Sequence, residues 1–144
     1  MQSRHILHTF YSKYGVKFQF TTEDRSTINT NSTQSDIDPT KLLELKELLG
    51  LEKFQHLINI YCDNSSEYLV TLTESVSNKK FETIHMTAHA MKGSAANMGA
   101  TGFSEICQEM ENEAREKLDG KLDTLLLQIT SEHQNVIEFL KGYL

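Results

Sequence analysis

Residues Leu51–Val76 read LEKFQHLINIYCDNSSEYLVTLTESV. Leu51, Phe54, Leu57, Ile58, Tyr61, Ser65, Tyr68, Leu69, Leu72 and Val76 recur at intervals of three and four, which lines one face of a long amphipathic α-helix. The same period continues on both sides. Upstream, Asp38 followed by the only proline, Pro39, predicts an N-cap and first helical residue, opening a short helix from about Pro39 to Leu49 that ends at Gly50. Downstream, Ser77-Asn78 supplies a turn and cap before a third helix with Phe81, Ile84, Ala88, Met91, Ala95 and Met98 on its apolar side, closed by Gly99. Thr101 is expected to cap a fourth helix that turns Phe103, Ile106, Cys107, Met110, Ala114 and Leu118 inward. After the Asp119-Gly120 turn signal, a last helix carries Leu122, Leu125, Leu126, Ile129, Val136, Ile137 and Leu140. Four long amphipathic helices on short connections predict an all-α fold: an antiparallel up-down-up-down four-helix bundle over residues 36–144, with the short Pro39 helix laid across one end.

A chain of 144 residues allows one modest domain and a tail. Residues 1–35 are read as that tail, an N-terminal extension and linker. From Thr21 to Gln34 the sequence is polar apart from Ile28, too little apolar surface to order itself, so the extension is expected to be partly disordered. Tyr14–Phe20 alternates like a strand but shows no partner in the sequence. With 20 acidic against 14 basic residues and a net charge of −6, a nucleic-acid partner held through its phosphates is disfavoured. Cys62 and Cys107 have neither zinc-ligand nor disulfide spacing and fall on apolar helical faces, where a free cysteine serves as a small core residue. Met1–Phe20 is broken by His5, His8, Lys13 and Lys17, and no segment approaches membrane-spanning length, so a cytoplasmic protein without membrane contact is expected.

The chemistry concentrates in His85-Met86-Thr87-Ala88-His89-Ala90-Met91-Lys92-Gly93-Ser94-Ala95-Ala96-Asn97-Met98-Gly99-Ala100. At about 100° per residue, His85, His89, Lys92 and Ala96 form a stripe beside the apolar set. His89 then points toward water with Lys92 on the same face. Gly93 is anomalous, because a glycine inside a helix costs about 1 kcal/mol relative to alanine and packing gives no reason for it. Lying one turn beyond His89, it strips bulk from that flank together with Ala96. A histidine nucleophile requires a neutral ring with one nitrogen free, a nearby cation for phosphoryl oxygens, and room for in-line approach.

His89-x-x-Lys92-Gly93-Ser94-Ala95-x-x-Met98-Gly99-Ala100 closely resembles the signature of histidine phosphotransfer (HPt) domains. The helix between Asp36 and Gly50 and the run Cys107-x-x-Met110-Glu111-x-x-x-Arg115 are similar to the same family, so the resemblance covers roughly residues 36–144. It implies that His89 is the phosphoacceptor through its outer ring nitrogen, that Lys92 stabilises the phosphoryl charge, that Gly93 gives clearance and that Ser94 helps fix local geometry. Glu111 matches a polar position near the histidine, where it could orient the imidazole by accepting its hydrogen bond, although a carboxylate there also repels the phosphoryl group. The implied partners are response-regulator receiver domains and a hybrid sensor histidine kinase. The chain itself is then a monomeric carrier without kinase activity, cofactor or metal, and magnesium is expected only on the partner receiver domain.

Blander readings compete at several of these positions. His85 and His89 lack both the glutamate of a metalloprotease helix and a clear third ligand. His133 reads as a core or boundary histidine, and Met86, Met91, Met98 and Met110 as core filling and adaptable contact surface. Glu105, Glu109, Glu111, Glu113 and Glu116 mostly decorate a solvated face, and Lys79 and Lys80 are solvated charges or steer an acidic partner. Rival functions are a receiver-binding helical module without phosphotransfer, the phosphoacceptor domain of a chemotaxis-type kinase, and a metal-dependent enzyme.

Overall fold

The computed structural model describes residues 7–11, 17–21 and 37–144, and the chain divides into two units, Met1–Gln34 and Ser35–Leu144. In the first unit, β1 (Leu7–Tyr11) pairs antiparallel with β2 (Lys17–Thr21), setting Leu7 opposite Thr21 and Tyr11 opposite Lys17. The strand expected over Tyr14–Phe20 is found over Lys17–Thr21, residues 14–16 lying outside the described residues, and it has a partner in a five-residue segment too short for periodicity to reveal. The expectation of disorder across residues 22–34 lies outside the described residues.

The second unit is built from α1 (Pro39–Leu49), α2 (Leu51–Ser77), α3 (Phe81–Asn97), α4 (Thr101–Arg115) and α5 (Leu122–Lys141). Asp38 caps α1 through Oδ1, which accepts from the Thr40 N–H at 3.0 Å, and Pro39 occupies the first turn, where no amide hydrogen is needed. Gly50, at φ +88°, separates α1 from α2 in a backbone conformation costly for other residues.

Helices α2 to α5 contact their sequence neighbours, and α2 also packs on α5, closing a four-membered bundle. Their directions alternate. Lys79 and Asp119 approach to 3.5 Å, which brings the α2–α3 and α4–α5 turns to one end. At the other end, the Gln55 side-chain amide donates to the Tyr143 carbonyl at 2.9 Å, while the Asp38 N–H donates to the Gly99 carbonyl at 2.8 Å. The entry to α1 is thus pinned to the α3–α4 turn, reinforced by an isolated bridge between Ile37 and Ala100.

Phe54, Ile58, Ile84, Met91, Phe103 and Ile129 belong to the core of the bundle, fully or almost fully buried. Each such side chain contributes about 1.5–3 kcal/mol through removal of apolar surface from water. Both cysteines are free and buried, and burial pushes the Cys107 thiol up to about 12. Two positions expected inward are not. Leu118 is half exposed, because α4 stops at Arg115 and Lys117 turns the chain out with φ +57°. Leu51 is also half exposed, as the first residue of α2. Thr101 begins α4 rather than capping it, the N-cap being Ala100.

Candidate functional site

His89 and Lys92 project from the middle of α3 toward α4, the helix that packs most extensively against it. The expected stripe is real: the His89 side chain is 65% exposed, Lys92 is 25% exposed, and the Ala88, Met91 and Ala95 positions beside them are buried. The decisive group comes from α4. Glu111 is buried, its side chain only 7% exposed, and its two carboxylate oxygens are divided between the two α3 residues. His89 Nδ1 lies 3.0 Å from Glu111 Oε2, and Lys92 Nζ lies 2.8 Å from Glu111 Oε1. The latter is an ion contact without good hydrogen-bond angles, so Oε1 keeps its hydrogen-bonding capacity unmet.

Glu111 therefore departs from the rest of the acidic run. Glu105, Glu109 and Glu116 are exposed as a solvated face requires, whereas Glu111 falls on the buried side of α4 next to Met110. Burial alone raises the Glu111 carboxyl, but the contacts from Lys92 and His89 outweigh it and hold the group below its ordinary range. An ionised carboxylate can only accept hydrogen bonds, so His89 must present Nδ1 as N–H. In the neutral ring, Nε2 is then left with its lone pair.

Gly93 sits exposed on α3, and a Cβ built there would meet nothing within 4 Å. No packing requirement inside this chain selects glycine at that position. Ser94 is not drawn into the cluster: its hydroxyl donates to the Met91 carbonyl of its own helix at 3.4 Å. The helix-to-helix contact is made instead by Ser104, whose hydroxyl donates to the Lys92 carbonyl at 3.1 Å.

Sequence reasoning missed a second layer on α4. Lys92 Nζ donates to Gln108 Oε1 at 3.0 Å, Gln108 Nε2 donates to Asn112 Oδ1 at 2.9 Å, and Arg115 donates to the same Asn112 oxygen at 2.8 Å. Gln108 and Arg115 stand three residues before and four after Glu111, which places them along its face of the helix. That spacing was the available signal. His85, one turn before His89, is partly buried with Nδ1 enclosed and unpartnered, and it lines a shallow groove with Phe81, Glu82, Ala114, Arg115 and Lys117. Among the described residues, no group of three or more His, Cys, Asp or Glu side chains could hold a metal ion.

The arrangement is thus an exposed imidazole whose inner nitrogen is tied to a buried carboxylate, with an ammonium beside that carboxylate. Residues 56–138, more than half of the chain, match the model of the Hpt domain, and the chain belongs to that family. It is 26% identical over 80 residues to the phosphorelay protein LuxU in two strains of Vibrio vulnificus, across 56% of this chain and 70% of the relative. The crystal structure of histidine-containing phosphotransfer protein B (HptB) from Pseudomonas aeruginosa is similar in fold, with a TM-score of 0.72 and 26% identity, covering 74% of this chain and 92% of that one.

Proposed function

We propose that this chain is a phosphorelay carrier in which His89 accepts a phosphoryl group from the aspartyl phosphate of one response-regulator receiver domain and yields it to another. The observation that carries the reading is the division of labour on the imidazole. Glu111 takes Nδ1–H at 3.0 Å, while the side chain as a whole is mostly exposed.

The transfer balances without further groups. Nε2 attacks phosphorus in line as the bond from phosphorus to the aspartate oxygen breaks, and the carboxylate leaves. The ring becomes cationic and keeps its proton on Nδ1, where the ionised Glu111 pairs with it. Lys92, whose Nζ lies 2.8 Å from the other carboxylate oxygen, faces the phosphoryl oxygens. Because the reaction inverts with little change at His89, the same arrangement serves acceptance and donation. Gly93 leaves the flank of the imidazole clear for the receiver.

The receiver would supply the acidic pocket and magnesium, so this chain needs no cofactor or metal of its own and acts as a carrier and not as a kinase. A hybrid sensor kinase fits the role of donor. The setting we propose is cytoplasmic, and no helix among the described residues is long and apolar enough to cross a membrane. Incubation with a receiver domain charged by acetyl phosphate tests the reading. Label is expected to move to the wild-type chain as an acid-labile phosphohistidine and to stay on the receiver when His89→Gln is used. Equal labelling of His89→Gln would sink the assignment, and labelling that occurs only with ATP and a separate kinase would favour the chemotaxis-type reading.

A further inference from the structure

Lys92 is held from two sides, by Glu111 and by Gln108. Its ammonium has three N–H bonds. One donates to Gln108 Oε1 at 3.0 Å, while Glu111 Oε1 lies at 2.8 Å in an ion contact that is not a hydrogen bond, which leaves N–H capacity for a phosphoryl oxygen on His89. A lysine side chain free of the second contact would sample several rotamers, since its four-carbon stem is flexible. The side chain is partly exposed, so burial alone does not fix it.

The Gln108 amide is itself oriented. An amide can present either its oxygen or its nitrogen to a neighbour, and only the oxygen can accept from an ammonium. Asn112 Oδ1 decides between them: it accepts from Gln108 Nε2 at 2.9 Å, which turns Gln108 Oε1 toward Lys92. Asn112 is fixed in turn by Arg115 Nη2, which donates to the same oxygen at 2.8 Å. Lys92 gives to Gln108, and Gln108 and Arg115 both give to Asn112, where the donors from the two sides meet.

Resting on the phosphoacceptor reading of His89, we propose that Gln108, oriented by Asn112, is a positioning residue that holds the Lys92 ammonium so that a free N–H of it meets the phosphoryl group carried on His89. Glu111 opposes this task when left alone, because a buried carboxylate competes with the phosphoryl oxygens for the same cation. Gln108 is neutral. It anchors Lys92 without adding negative charge next to the site, which a second carboxylate in its place would do.

Potassium phosphoramidate is the suitable probe, since a donor this small bypasses any docking surface. The Nε2–P bond forms as the donor's P–N bond breaks and ammonia leaves, and the ring 15N resonances of His89 in the full chain report the product. Gln108→Leu is expected to slow phosphorylation of His89 by about tenfold, the size of one hydrogen bond to a charged group. Asn112→Ala, at an exposed position where folding is not at risk, is expected to slow it about two- to threefold by releasing the amide. In a Lys92→Ala background both substitutions should lose their effect, because their influence passes through that ammonium. The same factor with and without Lys92, or rates equal to wild type, overturns the positioning role. If the wild-type chain takes no phosphoryl group, or His89→Gln is labelled as fast, the phosphoacceptor reading fails instead, so the two failures are distinguishable.

Discussion

At the scale of single residues, Gly93 separates what the chain needs for folding from what it needs for its partner. Its position is helical and exposed, and a methyl group added there would touch nothing within 4 Å. Folding alone therefore favours alanine, by about 1 kcal/mol from helix propensity. Gly93→Ala is expected to raise the melting temperature while slowing phosphoryl exchange with a receiver domain, because the added group stands one turn from His89 on the open flank. Thermal denaturation followed by circular dichroism, paired with a transfer assay, checks both signs. A variant that is more stable and exchanges at the wild-type rate would mean that clearance is not why glycine stands there. The charged part of the site was only partly legible. His89 and Lys92 follow from helical spacing in one segment, but the partner that fixes the imidazole tautomer comes from α4, twenty-two residues on. Nothing in a linear pattern says which of the four glutamates on that helix turns inward. Glu111 was singled out only by its match to the family pattern, having otherwise been read with the solvated acidic run, while Gln108 and Asn112 carried no motif at all.

Among the elements, α1 shows how a turn in the bundle becomes a docking point. Gly99 ends α3 at φ +79°, a conformation that glycine adopts at no steric cost, and its carbonyl accepts the Asp38 N–H at 2.8 Å. A Cβ there would lie 3.0 Å from the Asp38 carbonyl oxygen and 3.1 Å from Lys41 Cβ, both part of the α1 entry. Gly99→Ala thus carries two penalties, left-handed backbone strain and a clash with backbone that cannot swing aside. The expected loss is about 1–3 kcal/mol, read as a lower denaturant midpoint, with hydrogen exchange at the start of α1 accelerated more than in the bundle core. Unchanged protection in α1 would show that the helix is not held through this turn. Helix α1 itself was legible from Asp38-Pro39 and Gly50, and the glycine at 99 was legible as a helix end. That the two meet was not, because the contact joins residues 61 positions apart through backbone atoms alone. The error at Leu118 has a similar cause: the three- and four-residue period runs past Arg115, and only the left-handed turn at Lys117 shows where the helix stops obeying it.

For the whole molecule, the four-helix core encloses a histidine that the site does not use. His133 on α5 is buried, its Nε2 lies 2.9 Å from Ser65 Oγ on α2, and its ring lies 6.0 Å from that of Phe103 on α4. Three helices converge on it, so its protonation is felt by the whole bundle. Burial disfavours the charged ring and lowers its pKa from 6.5 to about 4. The unfolded chain then binds a proton more readily than the folded one, and the sign of the linkage follows. Stability is full above about pH 6.5 and falls as pH drops from there toward 4, with a total loss on the order of 3 kcal/mol. Glu111 adds to the loss at lower pH, since its carboxyl is held below the ordinary range and its pairing with Lys92 and His89 disappears on protonation. His133→Gln keeps a polar partner for Ser65 but cannot titrate, so denaturant midpoints measured between pH 7 and 4.5 should fall for the wild-type chain and stay nearly level for the variant. Equal slopes for the two proteins would place the acid sensitivity elsewhere, and the buried histidine would then be an inert member of the core.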